Sequence, residues 1–578
     1  MGNAVIQYVL YLAVVVSLAV PLGNYIGKVM DGNKVFLTRI AGPLEKLIYR
    51  FLGTNPEEEM GWKKYGACIL YVSGISFLVL GIIFMCQGVL PLNPEKIDGM
   101  SLPLAFNAAI SFVTNTNWQA YAGESQMSYF SQMIGCTVQN FISAAVGISV
   151  LFALIRGFVR THAEKVGNFW VDVTRIILYV LLPLSIMLSV LLVSQGVVQS
   201  LDGHTTVGLL EPMTMEDGTV VTQGIVPSGP AASQVAIKQL GTNGGGFFGT
   251  NSAFPLENPT VFSNLLEMLS ILLIPAALCF TFGKNVKDKG QGAALFAAMF
   301  VVLVVALSCV AYSEHTGTPK LTEEQQVADG DHGLEGGNME GKESRFGIAS
   351  SVTWSAFTTA ASNGSVNSML DSYMPLSGMV LMLLIQLGEV IFGGVGCGLY
   401  GMVGFAILTV FIAGLMVGRT PEFLGKKIEP FEMKMAVLAC LATPVVILTG
   451  SGIAALIPGM AGNLSNAGAH GLSELMYAYS SCGGNNGSAF AGFQADTVFL
   501  NISLGLGMLV ARFVPMMAML AVAGSLAGKK KIATTSGTLS TRNLMFVCLL
   551  IFVILLIGAL SFFPALALGP IAEYLRMR

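Results

Sequence analysis

Charged side chains are scarce in this sequence. They make up 11% of its 578 residues, against 53% hydrophobic residues and a mean hydropathy of +0.70. Soluble domains carry about 25% charged residues, so the composition is that of a polytopic membrane protein. The net charge is only −3, and no Lys/Arg run is interleaved with aromatics as in nucleic-acid-binding segments. The 9 cysteines are scattered, Cys86, Cys279 and Cys548 among them in apolar stretches, and no CxxC pair occurs, which argues against zinc, redox and disulfide-framework readings. HExxH, Ser-His-Asp and Cys-His arrangements are missing, so an intramembrane enzyme is a poor reading. So is GxxxxGK[ST]: "GSLAGKKK" and "FLGKKI" have the wrong spacing. There is no DKTG, of which "KDKGQG" is only an echo, so any ATP hydrolysis belongs to another chain. The first apolar run, "VIQYVLYLAVVVSLAV", lacks a basic n-region and a small-residue cleavage site and reads as a retained span.

What the chain has in abundance is apolar runs. Those of about 20 residues or more fall near 4–23, 65–90, 128–155, 174–196, 261–283, 291–313, 376–416, 434–457, 497–525 and 541–563. The run at 376–416 is too long for one simple span, and its glycine-rich middle, "GEVIFGGVGCGLYGM", predicts a broken or re-entrant helix. Basic residues cluster after alternate spans: Lys28 to Lys64, then Arg156, Arg160 and Lys165, then Lys284, Lys287 and Lys289, then Arg419, Lys426 and Lys427, then Lys529 to Lys531. The connections between carry acid instead, Asp202 to Asp217 in one and Glu323 to Glu340 in another. Lys and Arg mark the cytoplasmic side, so both termini are expected outside, with Arg576 and Arg578 mildly opposed.

Four outward connections share a further pattern. Each has a short, moderately apolar segment ("LAFNAAISFV", "PAASQVAIKQL", "ASSVTWSAFTTAA", "SELMYAYSSC"), then a small-polar cluster, then the next span. The clusters are "TNTNWQ", "TNGGGFF", "SNGSVN" and "NNGSAF". Matching their asparagines aligns Asn115, Asn243, Asn363 and Asn486, followed by Thr116, Gly244, Gly364 and Gly487 and preceded by Thr114, Thr242, Ser362 and Asn485. Irregular backbone at membrane depth is tolerated where it is buried in protein or lines water. Four such loops around one axis would form a cage of backbone carbonyls for a dehydrated monovalent cation, with the negative ends of the short helices turned to it. Four unrelated polar loops are the plain alternative, which the shared Asn-Gly register disfavours. The fold class expected is an all-α polytopic protein of about ten transmembrane helices. Four span–pore helix–span units surround a central pore, with an extra first and an extra last span. The boundaries fall at 1–64, 65–160, 170–285, 290–418, 430–527 and 540–578.

Other candidates carry less. "GCGLYG" (396–401) fits GxGxxG but follows no strand, and reads as an intramembrane gating loop; "DGDHGLEGGNMEG" (329–341) lacks EF-hand spacing. Gln139 and Asn140 suit helix–helix hydrogen bonds. Glu389 and Arg512 interrupt apolar spans, where charge is costly and faces a cavity or a partner. Either Glu389 lines an inner vestibule or tunnel while Arg512 blocks leakage or pairs with it, or the two form a structural ion pair.

"FVTNTNWQ", "GTNGGGFFGTNSAFPLENPT", "GRTPEFLGKKIE" and "NNGSAFAGF" closely resemble the KdpA family, the potassium-binding subunits of the bacterial Kdp P-type ATPase, within the superfamily of potassium channels and transporters. The resemblance covers essentially the whole chain. It implies an extracellular potassium filter whose backbone ligands are Asn115, Thr116, Thr242, Asn243, Gly244, Asn363, Gly364, Asn485, Asn486 and Gly487, with Gln119 beside it. The third loop departs slightly, with "SNG" where relatives can carry a cysteine before the glycine, which touches fine selectivity only. The resemblance further implies a bacterial plasma-membrane location, potassium as transported ligand without organic cofactor, and an intramembrane tunnel to a KdpB-like P-type ATPase subunit that uses the ATP. A KdpF-like small peptide and a KdpC-like accessory subunit complete the implied complex. Two rivals are a stand-alone channel-like potassium/sodium transporter driven by the membrane potential, and a scaffold with no pathway.

Overall fold

The computed structural model describes residues 2–215, 218–317, 337–418, 420–532 and 539–577. Glu216, Asp217, Glu323, Glu324, Asp329, Asp331, Glu335, Arg419 and Arg578, used above to orient the chain, lie outside the described residues, as does most of 329–341.

Ten helices among the described residues are long and apolar enough to cross a bilayer. In chain order they are Asn3–Met30, Trp62–Val89, Ser131–Val159, Phe169–Ser194, Val261–Asn285, Lys289–Thr316, Cys397–Met416, Pro430–Ala455, Val498–Gly528 and Leu544–Met577, called spans 1 to 10 below. Local sequence starts several of them. Asn168, Thr260, Thr497 and Asn543 precede spans 4, 5, 9 and 10, and each side-chain oxygen accepts a first-turn backbone N–H, at 3.0 Å from Trp170, 3.0 Å from Ser263, 3.2 Å from Leu500 and 2.9 Å from Phe546.

Four short helices lie between spans 2 and 3, 4 and 5, 6 and 7, and 8 and 9: Leu102–Val113, Ala231–Leu240, Gly347–Ala360 and Gly468–Gly483. They are here numbered pore helices 1 to 4. The architecture is therefore the all-α, four-unit arrangement expected from the apolar runs, with spans 1 and 10 added. Among the described residues, three two-stranded antiparallel ladders decorate the connections; the largest of them is a largely exposed hairpin, Thr205–Thr214 with Val220–Val226, which pairs Thr205 with Val226.

The long run at 376–416 divides as its glycines predict. One helix, Pro375–Gln386, stops, residues 387–396 run irregularly, and the helix resumes at Cys397. Gly396 has φ 86°, and a Cβ there would sit 2.3 Å from the Gly147 carbonyl oxygen, so span 3 and this loop approach backbone to backbone.

Span 3 is the most enclosed of the ten. In its most apolar window 83% of residues are buried, against 17% in spans 1 and 2, so it forms the centre and they form the flank. Small residues permit the close crossings, as is usual between helices in membranes. A Cβ at Gly157 would lie 2.6 Å from Ala523 O of span 9, and one at Gly23 of span 1 would lie 2.4 Å from Ala277 O of span 5.

Candidate functional site

Each pore helix ends in the same way. The C-caps are Thr114, Gly241, Ala361 and Gly484, and the next residue in every case has a left-handed backbone: Asn115 (φ 63°), Thr242 (48°), Ser362 (49°) and Asn485 (47°). Two residues further on it is left-handed again, at Asn117 (53°), Gly244 (72°), Gly364 (89°) and Gly487 (97°). Between them, the N–H groups of Thr116, Asn243, Asn363 and Asn486 donate back to the carbonyls of Ser111, Lys238, Thr358 and Ser481 at 2.8–3.0 Å.

These geometries fix the register of the four loops and correct one row of the sequence alignment. Asn115 corresponds to Thr242, Ser362 and Asn485, not to Asn243, Asn363 and Asn486; Thr116 takes that place, and Asn117 stands where the other loops have glycine. Matching asparagine to asparagine misled because loop 1 carries two, at 115 and 117. The equivalence puts Asn117 in line with Gly244 and Ser362 in line with Thr242, neither being among the residues that the resemblance implied as ligands.

The loops close into a ring. A Cβ at Gly244 would lie 1.5 Å from Asn363 O, one at Gly364 would lie 2.0 Å from Asn486 O, and one at Gly487 would lie 2.0 Å from Thr116 O. Each glycine thus yields its side-chain space to a carbonyl of the next loop. The last joint differs. Asn115, Asn117 and Gln119, alternate residues of loop 1, donate to the carbonyls of Thr242 (3.0 Å), Gly244 (3.0 Å) and Gly246 (2.8 Å). Gly246 N–H returns a bond to Gln119 Oε1 at 3.0 Å. Elsewhere Asn363 Nδ2 donates to Lys238 O (3.1 Å), Asn486 Nδ2 to Thr358 O (2.8 Å), and Asn485 Nδ2 to Thr116 Oγ1 (2.9 Å).

Thr116, Asn243, Asn363 and Asn486 are fully buried, yet among the hydrogen bonds of the described residues none ends on their carbonyl oxygens. Buried carbonyls are nearly always paired. Four equivalent unpaired ones in a ring form a neutral, oxygen-lined position suited to a monovalent cation.

Above the ring lies a cup of about 550 Å³, to which all four loops contribute, through Gln119, Asn251, Gly364 and Gly487 among others. Below it lies a smaller cavity lined by Glu389, Cys397, Tyr400, Asn485 and Arg512. Glu389 Oε2 and Arg512 Nη1 are 3.8 Å apart, too far for a hydrogen bond, and Glu389 Oε2 and Arg512 Nη2 have no hydrogen-bond partner among the described residues. The two residues singled out in the sequence therefore share one cavity, as a loose pair. The irregular stretch 387–396 hangs from the ring above it: Val395 N–H donates to Thr242 Oγ1 at 2.8 Å, and Gly393 N–H to Ala360 O at 3.0 Å.

A further group behind loop 2 escaped the sequence reading. At the pore-helix position where loops 1, 3 and 4 have Ser111, Thr358 and Ser481, loop 2 has Lys238, which is buried. Its ammonium donates to Gly245 O at 2.8 Å and pairs with the carboxylate of Glu257. The other oxygen of Glu257 accepts the N–H groups of Phe247 (3.0 Å) and Phe248 (3.2 Å). The signal was present: a lone lysine in an apolar short helix, with a lone glutamate in "FPLENPT" downstream. Asn140, read as a helix–helix contact, bonds the ring instead, accepting from Asn117 Nδ2 at 3.1 Å and from Asn243 Nδ2 at 3.3 Å.

Known proteins resemble this chain in sequence and, separately, in fold. The chain matches the family described as "KdpA: Potassium-transporting ATPase A subunit" over residues 9–575. It is 67% identical over 577 residues to a "Potassium-transporting ATPase potassium-binding subunit" of Clostridium botulinum (strain Alaska E43 / Type E3), with 100% of each chain covered. A protein of the same description from Listeria monocytogenes serovar 1/2a is 56% identical over 574 residues, with 99% of each covered. Among solved structures, the potassium transporter TrkH from Vibrio parahaemolyticus superimposes with a TM-score of 0.51 at 13% identity, covering 89% of this chain and 98% of that one. At that identity the likeness is one of fold.

Proposed function

Because the chain belongs to the KdpA family of potassium-transporting ATPases, we propose that it is the potassium-binding subunit of an ATP-driven uptake complex and that the ring of loops is its filter. Potassium enters from the cup, exchanges water for backbone oxygens of the four loops, and passes to the cavity beneath. The basic connections then lie in the cytoplasm and the cup faces outside. The observation that carries this reading is the set of four equivalent, buried carbonyls at Thr116, Asn243, Asn363 and Asn486, on which no donor of the described residues ends. A neutral ring favours release of a monovalent ion, whereas carboxylates would hold a divalent one. Glu389 and Arg512 form the floor, and the ion leaves sideways toward a P-type ATPase subunit that performs the hydrolysis, with a KdpC-like and a KdpF-like subunit in the same complex.

The test is potassium-dependent ATP hydrolysis by the complex copurified through this chain, wild type against Gly244→Asp. The expected result is half-saturation moved at least tenfold toward higher potassium while hydrolysis survives at saturation. Unchanged half-saturation refutes the filter assignment. A wild-type chain that brings down no ATPase yet passes potassium in liposomes favours a stand-alone transporter.

A further inference from the structure

Between spans 1 and 2 lies a helix, Thr38–Phe51, that crosses nothing. Its side chains, with those of the residues leading into it, sort into three stripes. Leu37, Ala41, Glu45, Ile48 and Tyr49 turn toward the protein, where Glu45 accepts from Tyr49 Oη (2.7 Å), Tyr179 Oη (2.6 Å) and Arg175 Nε (3.1 Å). Phe36, Ile40, Leu44, Leu47 and Phe51 form the second stripe at spacings of 4, 4, 3 and 4, and they remain 76%, 78%, 45%, 59% and 88% exposed. Arg39, Lys46 and Arg50 form the third, also exposed.

At about 100° per residue the apolar stripe spans less than a quarter of the helix circumference, and the basic stripe lies about 100° to one side of it, away from the protein. Single exposed leucines need no explanation, but a continuous stripe of five large apolar residues does. The helix is tethered to the start of span 4 and connects the ends of spans 1 and 2, which places it at the edge of the hydrocarbon layer.

We propose that this helix lies in the plane of the membrane at the basic end of the molecule, with Phe36, Ile40, Leu44, Leu47 and Phe51 among the acyl chains and Arg39, Lys46 and Arg50 on the phosphates of anionic lipids. Charge selects the occupant. The open face carries three cations and no acid, since Glu45 is turned inward, and this matches an anionic leaflet. A protein partner seated on the stripe would instead meet charge along the edge of an apolar patch, where interface cores are depleted of it.

The experiment uses the full chain in its complex, reconstituted in nanodiscs, with a fluorescent amino acid at position 44 or 46. Lipids brominated in the acyl chain should quench the probe at Leu44 several-fold more than the probe at Lys46. Wild type should also be thermally more stable in phosphatidylglycerol than in phosphatidylcholine discs, and the triple variant Arg39→Gln, Lys46→Gln, Arg50→Gln should lose that difference. Equal quenching at both positions, photocross-linking of position 44 to another protein of the complex, or a triple variant that keeps the phosphatidylglycerol preference would each overturn the proposal.

Discussion

At the scale of single residues, three joints of the ring depend on the absence of a side chain and the fourth on its presence. A methyl at Gly487 meets the Thr116 carbonyl oxygen at 2.0 Å, with backbone on both sides, so nothing flexible can yield. The residue also sits at φ 97°, where any L-residue is strained by roughly 1–2 kcal/mol before the clash is counted. Asn117 occupies the equivalent position at φ 53° and repays its strain through bonds to Gly244 O and Asn140 Oδ1. The predictions therefore have opposite sizes. Gly487→Ala should raise the potassium concentration for half-maximal ATP hydrolysis by about tenfold or more, since each 1.4 kcal/mol is a decade. Asn117→Gly exchanges two neutral hydrogen bonds of about 1 kcal/mol each for relief of backbone strain, and should shift it only a few-fold. A silent Gly487→Ala, or an Asn117→Gly as damaging as it, would contradict the ring geometry. Lys238 breaks the symmetry in another way: three quarters of the ring carry a hydroxyl at that position and one carries a buried cation neutralised by Glu257.

At the scale of elements, pore helix 4 is pinned to the end of span 10 by one imidazole. His470 bonds Asp371 Oδ1 through Nε2 and Glu573 Oε1 through Nδ1, each at 2.8 Å. Burial pulls its pKa down, but the two carboxylate bonds outweigh it and push it up to about 10 from 6.5. A basic group with a raised folded-state pKa contributes stability that is fully present below its unfolded value and lost as pH rises through the folded one. The clamp should therefore hold below pH 6.5 and weaken steadily between 6.5 and about 10. Thermal unfolding of the complex across that window should fall with pH in wild type and change less in His470→Gln, which retains hydrogen bonding without the charge; parallel curves would remove the clamp from the account. None of this was legible in the chain, because Asp371, His470 and Glu573 are about a hundred residues apart and only the packing of the bundle brings them together. The spans, the break after Gln386 and the four loops were legible, since hydrophobic run length and glycine clusters are local signals. The register of loop 1 was not, because it is set by where pore helix 1 ends, at Thr114, and either asparagine of "TNTN" fits the pattern until that is known.

At the scale of the whole molecule, the cavity below the ring carries one charge of each sign, and on the proposed function these two charges decide which way an ion can leave. Arg512 is almost wholly buried on span 9, Glu389 sits on the break of the seventh apolar run, and the stretch that carries it is bonded to the ring above through Thr242 and Ala360. A cation descending from the ring meets the carboxylate as attraction and the guanidinium as repulsion, and in a low-dielectric interior both act strongly at a few ångströms. Removing each alone should then have different effects on potassium flux through the isolated chain in liposomes. Arg512→Ala leaves Glu389 unopposed and should open a straight-through leak, about tenfold or more above wild type for each 1.4 kcal/mol of barrier removed. Glu389→Gln leaves Arg512 unopposed, so the chain alone should stay tight and the complex should need more potassium for half-maximal hydrolysis. If both variants leave flux and potassium dependence at the wild-type level, the pair only holds helices together and the exit is closed elsewhere. If Arg512→Ala leaks while Glu389→Gln does not, the floor is electrostatic, and the sideways route to a separate motor is the one that remains.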